Sequence, residues 1–392
     1  MSPLRIAADV RVLSGPRLGI GRVAQSMITA LLALGGGDRY LLFGQNAFRA
    51  PIARRLRGEL RSLGGDGRRE EFLSRLPTIL DRAAGEGLTR ALHRRAVERF
   101  APDLVLWIAS RALFWPDARE IVWVHDLIHR KIPDAVPAPL RARLDTDLPR
   151  LVRRAAAVVA VSEHTKKDLV SDLGIPPGRI VVIPPGVGGE FRPLPGAEER
   201  EAERLRLGLP EAYVLFVGSL FANKNVGLLL RAMRSLAARP GFRHSLVIVT
   251  PGGTESEALR RKSELPPLGG RVLFRPFASG SDLRSLYSLA DLFLFPSLYE
   301  GFGIPPLEAM ACGTPVVASS RTSVPEVVGD AGILLDPESE TPWVETIARL
   351  LADPAERGRL AAAGRDRARR FTWEESARKA RALFASLVPE GA

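Results

Sequence analysis

Short apolar runs recur along the whole chain, separated by longer amphipathic stretches, and this alternation constrains the fold more than any other feature of the sequence. A first series covers residues 6–10, 41–43, 104–107, 121–124, 158–161 and 180–183. A second covers 213–217, 246–250, 272–274, 292–295, 316–318 and 333–335. The runs are too short for core helices, and apart from Asp9 and Thr250 they are apolar at successive positions rather than at every second one. Strands buried on both faces of a parallel sheet read this way, because helices cover each side. The pattern predicts an α/β chain of two doubly wound, Rossmann-like domains in series. A length of 392 residues suits two domains of ordinary size.

The boundary is written in proline and glycine. Pro184, Pro185 and Gly186 close the first series. Pro193, Pro195 and Gly196 follow, and a charged run over 198–206 precedes the next strand. The expected division is residues 1–190, 191–370 and a terminal helix over 371–392 that packs back toward the first domain. In such sheets ligands bind beyond the carboxyl ends of the strands, which predicts a site in a cleft between the two domains.

Composition narrows the functional classes. Apolar residues make up 46% and charged residues 26%, as in water-soluble globular proteins. The single cysteine, Cys312, excludes an intrachain disulfide and a cysteine-rich metal site, and reads as a small buried residue. No apolar run approaches the ~18 residues of a membrane span. The chain enters a strand almost at once, so no signal peptide is expected and a cytoplasmic location is.

The net charge of +12 is uneven. Residues 1–190 hold 30 Lys and Arg against 20 Asp and Glu, a balance of +10, and the remainder holds 26 against 24, a balance of +2. Arg54, Arg55, Arg57, Arg61, Arg68 and Arg69, then Arg90, Arg94, Arg95 and Arg99, form the densest stretch. Leucines interleave with the first of these, so the stretch reads either as a basic amphipathic surface for an anionic bilayer or as a solvated arginine face. Nucleic acid is not an expected partner, because no aromatics interleave with the arginines and no recognised module is present.

The segment Glu300-Gly301-Phe302-Gly303-Ile304-Pro305-Pro306-Leu307-Glu308 carries the strongest chemical signal. It follows an apolar run and opens a short helix that ends at Gly313. Pro305 and Pro306 suit a first helical turn, and Gly313 with Pro315 suits its end. A glycine turn running into a helix N-terminus offers N–H groups and a positive dipole end to an anion. Carboxylates repel phosphate, so Glu300 and Glu308 are expected to face hydroxyl groups. Eight residues at 100° each leave the two side chains about 80° apart on a helix, which predicts different depths in one pocket. Phosphate and polyol together point to a sugar nucleotide.

Other candidates fall at strand ends. Lys224 lies between the run at 213–217 and a helix starting near Val226, where a point charge meets a diphosphate well. His125, with Asp126, follows the run at 121–124. Gly19 and Gly21 lie in the first strand–helix turn. Asp145-Thr146-Asp147 spells the acidic motif of metal-dependent sugar transfer, but it sits in an arginine-flanked helical stretch and reads as surface charge.

Jointly, these segments resemble the retaining glycosyltransferases of family 4, with the GT-B fold. The resemblance rests on residues 295–317, on Val217-Gly218-Ser219 with Lys224-Asn225, and on Val161-Ser162-Glu163-His164-Thr165. It extends to Val182-Ile183-Pro184-Pro185-Gly186, Val124-His125-Asp126-Leu127 and Pro325-Glu326-Val327-Val328-Gly329-Asp330. It implies that Glu300 contacts donor-sugar hydroxyls, that Gly301, Phe302, Gly303 and Ile304 offer backbone groups, and that Glu308 binds the ribose. It implies a phosphate loop of Ser219, Lys224 and Asn225, and base recognition near Phe277. His125 would approach donor sugar or acceptor, and Gly19 and Gly21 would face the donor phosphates and the acceptor. No metal and no further cofactor are implied. GDP-mannose is the favoured co-substrate, with dTDP-rhamnose and UDP-hexoses behind it. The implied acceptor is a glycan or lipid-linked intermediate of polysaccharide or O-antigen assembly. Relatives carry an arginine at the place of Ser219 or beside the lysine, where this chain has Asn223. A non-catalytic protein of the same fold that binds sugar nucleotide or membrane is the rival, and the presence of Glu300, Glu308, Lys224 and His125 argues against it.

Overall fold

The computed structural model of the chain describes residues 3–14, 19–35, 37–45, 69–74, 87–109, 117–251, 255–276 and 280–388. The chain forms two compact units. The first comprises Met1–Leu127, Ala138–Gly186 and Trp373–Ala392, and the second Ile128–Pro137 and Val187–Thr372.

The first unit is built on seven parallel strands: β1 (Arg5–Asp9), β2 (Arg39–Gln45), β3 (Arg69–Ser74), β4 (Leu104–Trp107), β5 (Arg119–Val124), β6 (Ala157–Ala160) and β7 (Ile180–Val182). They lie in the order β3-β2-β1-β4-β5-β6-β7. β4 and β6 are buried at every position, and β5 at every position but its first. That burial is what continuous apolar strands require. Helices α1 (Ile20–Ala33), α2 (Gly87–Phe100), α4 (Ala138–Arg154) and α5 (Glu163–Leu173) connect them. Ser162 caps α5 by accepting from the Thr165 N–H at 3.0 Å, and Gly174 ends it at φ 65°, a left-handed conformation that glycine adopts without strain. Trp107 packs edge-on against Phe43 at 5.8 Å in the core.

The terminal helix α14 (Trp373–Leu387) belongs to this first unit and lies along α1. Arg381 forks onto buried Asp38, with Nη2 at 2.9 Å from Oδ1, and the same carboxylate accepts the Leu4 N–H. Phe384 meets Trp123 edge-on at 6.5 Å. A fully buried aromatic and a bidentate ion pair fix the helix in place.

The second unit has six parallel strands: β8 (Tyr213–Val217), β9 (Ser245–Thr250), β10 (Val272–Pro276), β11 (Leu292–Phe295), β12 (Val316–Ser319) and β13 (Ile333–Leu335). Their order is β10-β9-β8-β11-β12-β13, so the winding reverses between β8 and β11. Helices α6 (Ala197–Arg206), α7 (Val226–Ala237), α8 (Glu255–Glu264), α9 (Gly280–Leu289) and α10 (Ile304–Ala311) run between or before these strands. They are followed by α11 (Val324–Val328), α12 (Glu340–Ala352) and α13 (Pro354–Ala368). α7 buries Leu229, Met233 and Leu236 at helical spacing, and α12 packs against it.

Two features differ from the sequence reading. Strand β3 is an addition: Arg-Glu-Glu-Phe-Leu-Ser lacks a continuous apolar run, and the strand is tolerated because it lies at the sheet edge. The segment holding α3 (Ile128–Lys131) and the turn Pro133–Ala135 belongs to the second unit, although both neighbours in sequence belong to the first. That turn lies against the turn Ala222–Lys224.

Candidate active site

Ligands of doubly wound sheets bind at the carboxyl ends of strands, where the winding reverses. In the second unit that point lies between β8 and β11. The loop after β8 carries Lys224, and the loop after β11 carries Glu300. Their side chains form an ion pair, Nζ to Oε1 at 2.5 Å, with only 16% and 13% of each exposed. Lys224 also stands 5.4 Å from the centre of the Phe295 ring, which supports the cation from beneath.

Hydrogen bonds stitch the two loops together. The Leu298 N–H donates to the Asn223 carbonyl at 2.7 Å, and Asn223 Nδ2 donates to the Tyr299 carbonyl at 3.2 Å. Asn225 takes the left-handed conformation at φ 51°, caps α7, and sends its amide to the Pro337 carbonyl at 2.7 Å. Asn225 thus fastens the loop, with its Nδ2 committed to protein carbonyls. Ser219 is half-buried directly beyond β8. Among the described residues, buried Asn223 Oδ1, Thr250 Oγ1 and Ser297 Oγ have no protein partner, and all three lie beyond or at the carboxyl ends of β8, β9 and β11. Hydroxyl and amide atoms of this kind suit a polar ligand.

The glycine turn after Glu300 is built as its sequence predicts. Gly303 caps α10 at φ 118°, and the two prolines occupy its first turn. Gly301 is buried, and Ile304 begins the helix. Phe302 is turned inward and meets Phe371 edge-on at 5.9 Å. Glu308 lies one turn deeper, only 2% exposed, and accepts the Tyr287 hydroxyl on Oε2 at 2.9 Å. Cys312, on the same buried turn, has its thiol pushed up to about 12 by burial, so it is unreactive packing.

In the first unit, His125 follows β5 and is 8% exposed. Its Nε2 lies 2.7 Å from the Ile108 carbonyl. A carbonyl only accepts, so Nε2 carries the hydrogen and Nδ1 is an acceptor. Burial lowers its pKa to about 4, which keeps the ring neutral near pH 7. Gly19 caps α1 at φ 42° and Gly21 is buried in its first turn; α1 has no acidic residue there. Phe277 and the Gly15 end of that first loop lie outside the described residues. Asp147 pairs with Arg143 at 3.5 Å across one turn of α4, as the surface reading expects. Among the described residues no cluster of acidic, His or Cys side chains has the geometry of a metal site.

Family models cover most of the chain. Residues 19–189 match "Glycosyltransferase Family 4", and residues 198–367 match "Glycosyl transferases group 1". The chain belongs to glycosyltransferase family 4. The O-antigen chain mannosyltransferase B of Escherichia coli is 28% identical over 374 residues, 95% of this chain and 97% of that relative. The D-inositol 3-phosphate glycosyltransferase of Salinispora tropica is 34% identical over 255 residues, and the match spans about half (53%) of its length. Among solved structures, Anabaena HepE in complex with UDP and glucose has a TM-score of 0.76 at 19% identity, covering 98% of this chain and all of that one. Sucrose-phosphate synthase from Thermosynechococcus elongatus has a TM-score of 0.74 at 22% identity, covering 98% and 99%. The fold is GT-B.

In this glycosyltransferase several residues around Lys224 and Glu300 carry no motif of their own. Asn223 holds one loop. Thr322 accepts the Glu300 N–H on Oγ1 at 3.1 Å, and Ser323 donates its one hydroxyl hydrogen toward the carbonyls of Glu300 at 2.9 Å and Phe302 at 2.8 Å. Tyr287 reaches Glu308 from α9. No local sequence signal marks these partners, because each bonds to a residue 21 or more positions away.

Proposed function

We propose that this glycosyltransferase is a retaining, metal-independent hexosyltransferase that moves mannose from GDP-mannose to a glycan or lipid-linked acceptor in polysaccharide or O-antigen-type assembly. The observation that carries this reading is the part-buried Lys224–Glu300 pair at the winding reversal of the second sheet. The mannosyl choice is supported by the end-to-end match to the O-antigen mannosyltransferase.

Each residue then has a separate task. The donor diphosphate lies at the start of α7, where Lys224 and the backbone beyond β8 receive it. As the bond from the sugar to the phosphate oxygen breaks, negative charge grows on the diphosphate, and Lys224 stabilises it. Glu300 turns to the sugar hydroxyls and steadies the positive charge developing at the anomeric carbon. Backbone groups of residues 301–304 hold the sugar and diphosphate. Glu308 takes the ribose hydroxyls while Tyr287 fixes one of its oxygens. His125, neutral, accepts from a hydroxyl through Nδ1. No carboxylate is assigned to the far face of the sugar, so retention proceeds on one face: a leaving phosphate oxygen takes the acceptor proton as the new bond forms. Positioning and preorganised charge supply most of the rate.

The protein works at a cytoplasmic membrane surface, held by the basic face of the first unit. Among the described residues no helix is long and apolar enough to cross a membrane. The experiment is a screen of GDP-mannose, dTDP-rhamnose and UDP-hexoses in chelator, reading thermal shift and sugar transfer. GDP-mannose should raise the melting temperature and serve as donor, with Glu300→Gln losing transfer. Transfer only from another sugar nucleotide, or only with a divalent cation, would overturn the corresponding part of the proposal.

A further inference from the structure

Three non-glycine residues among those described have positive φ: Ala101, Asn225 and Thr322. Two of them flank the Lys224–Glu300 pair. Asn225 follows Lys224 directly, and asparagine is among the non-glycine residues that most readily visit the left-handed region. Thr322, at φ 59°, has no such excuse, since a β-branched side chain is crowded there. A residue holds such a conformation only where its surroundings over-determine it, and such residues gather at functional sites.

The hydrogen bonds show what the strained turn accomplishes. Thr322 Oγ1 receives the Glu300 N–H at 3.1 Å, across 22 residues of sequence. Ser323, fully buried, caps α11 in position but not with its side chain. Its hydroxyl is turned instead to the carbonyls of Glu300 and Phe302. Glu300 is therefore gripped at its N–H by one hydroxyl and at its carbonyl by the next. With both ends of the residue fixed, its side chain leaves the backbone in one direction and brings Oε1 to 2.5 Å from Lys224 Nζ. Neither Thr322 nor Ser323 carries a charge, and the hydroxyls of both bond the Glu300 backbone, so their contribution runs through Glu300.

We propose that Thr322 is a positioning residue, held in a strained left-handed turn so that its hydroxyl aims Glu300 at the donor sugar. The proposal rests on the reading of Glu300 given above. It predicts that turnover follows the hydroxyl, while stability follows how well the side chain suits φ 59°.

The test uses the full chain and initial rates of sugar transfer from the donor identified above. Thr322→Val keeps the shape and removes the hydroxyl. It should lower kcat by roughly tenfold or more with a smaller change in donor KM, since small misplacement at a reacting centre is costly. Thr322→Ser should restore most of kcat. Thr322→Gly relieves the backbone but lacks the hydroxyl. It should melt no lower than Thr322→Val and still turn over slowly, a split that a merely structural role does not give. In a Glu300→Gln background, adding Thr322→Val should change kcat by less than about twofold, because coupled residues do not multiply. Full kcat in both Thr322→Val and Thr322→Gly, or effects that multiply with Glu300→Gln, would remove the positioning role. Full activity of Glu300→Gln alone would instead remove the reading of Glu300.

Discussion

His125 shows how one side chain links stability to chemistry. Its folded pKa, about 4, lies below the ordinary 6.5 because burial disfavours the imidazolium, and the Ile108 carbonyl only partly offsets this. The unfolded chain therefore binds more protons than the folded one between pH 6.5 and about 4. Stability from this group is fully present above pH 6.5 and is lost as pH falls through that window. Between pH 6.5 and 5 the loss amounts to about 2 kcal/mol at 1.36 kcal/mol per unit. Urea unfolding of wild type and His125→Gln at several pH values should show the wild type losing that much relative to the variant on acidification. Parallel curves would mean that the ring is not held neutral by burial. The same neutrality leaves His125 donating from Nε2 to the Ile108 carbonyl and able only to accept at Nδ1 at pH 7. The histidine was legible in the sequence from its place after an apolar run, but its tautomer was not. Ile108 lies 17 residues away, and only the sheet brings its carbonyl to Nε2.

At the scale of the element, the turn into α10 depends on backbone geometry more than on packing. An added Cβ at Gly303 would come no nearer than 3.9 Å to Pro306 and Val327, yet its φ of 118° is one that other residues rarely adopt. Gly303→Ala should therefore cost about 1–3 kcal/mol from conformation alone, and donor binding should weaken because residues 301–304 shift. Gly178→Ala, at a position without positive φ and with open space around it, should stay within about 0.5 kcal/mol of wild type. Urea midpoints of both variants, with donor-induced thermal shifts, check this; equal stability of the two would rule out the strained turn. Elements of this kind are the part of the fold that the sequence states most openly. Strands β4, β5, β6, β8 and β11 announce themselves because burial on both faces demands unbroken apolar residues. β3 does not, because an edge strand satisfies its backbone with one neighbour and needs little apolar surface. The partners of the site are hidden for a different reason. Asn223 bonds across 76 residues and Thr322 across 22, and nothing local marks a serine or threonine as the support of a distant glutamate.

Across the whole molecule the charge is divided in a way that matches a division of labour. Residues 191–392 hold 26 basic against 24 acidic side chains, nearly neutral, so the donor handling proposed for Lys224 and Glu300 would rely on a few placed charges. Residues 1–190 carry the balance of +10. Arg54, Arg55, Arg57, Arg61 and Arg68 lie outside the described residues, but Arg90, Arg94, Arg95 and Arg99 are exposed on α2. The buried side of that helix is His93, Val97 and Phe100, so its basic side is directed outward. Arg94 is partly neutralised by Glu98 at 2.7 Å, which leaves Arg90, Arg95 and Arg99 as the better contacts for anionic lipid. Each basic residue at such a surface contributes about 1 kcal/mol, so replacing these three by Gln should weaken binding to phosphatidylglycerol-containing vesicles by roughly a hundredfold. Binding of the wild type should also fall as salt rises, because exposed charges are screened within ~10 Å at 0.1 M. Sugar transfer to a soluble acceptor should be unaffected by the triple replacement, since α2 belongs to the first unit and the loops proposed to hold the donor belong to the second. Vesicle sedimentation that is equal for wild type and variant, or insensitive to salt, would leave the +10 as a solvated face and remove the membrane from the account of this enzyme.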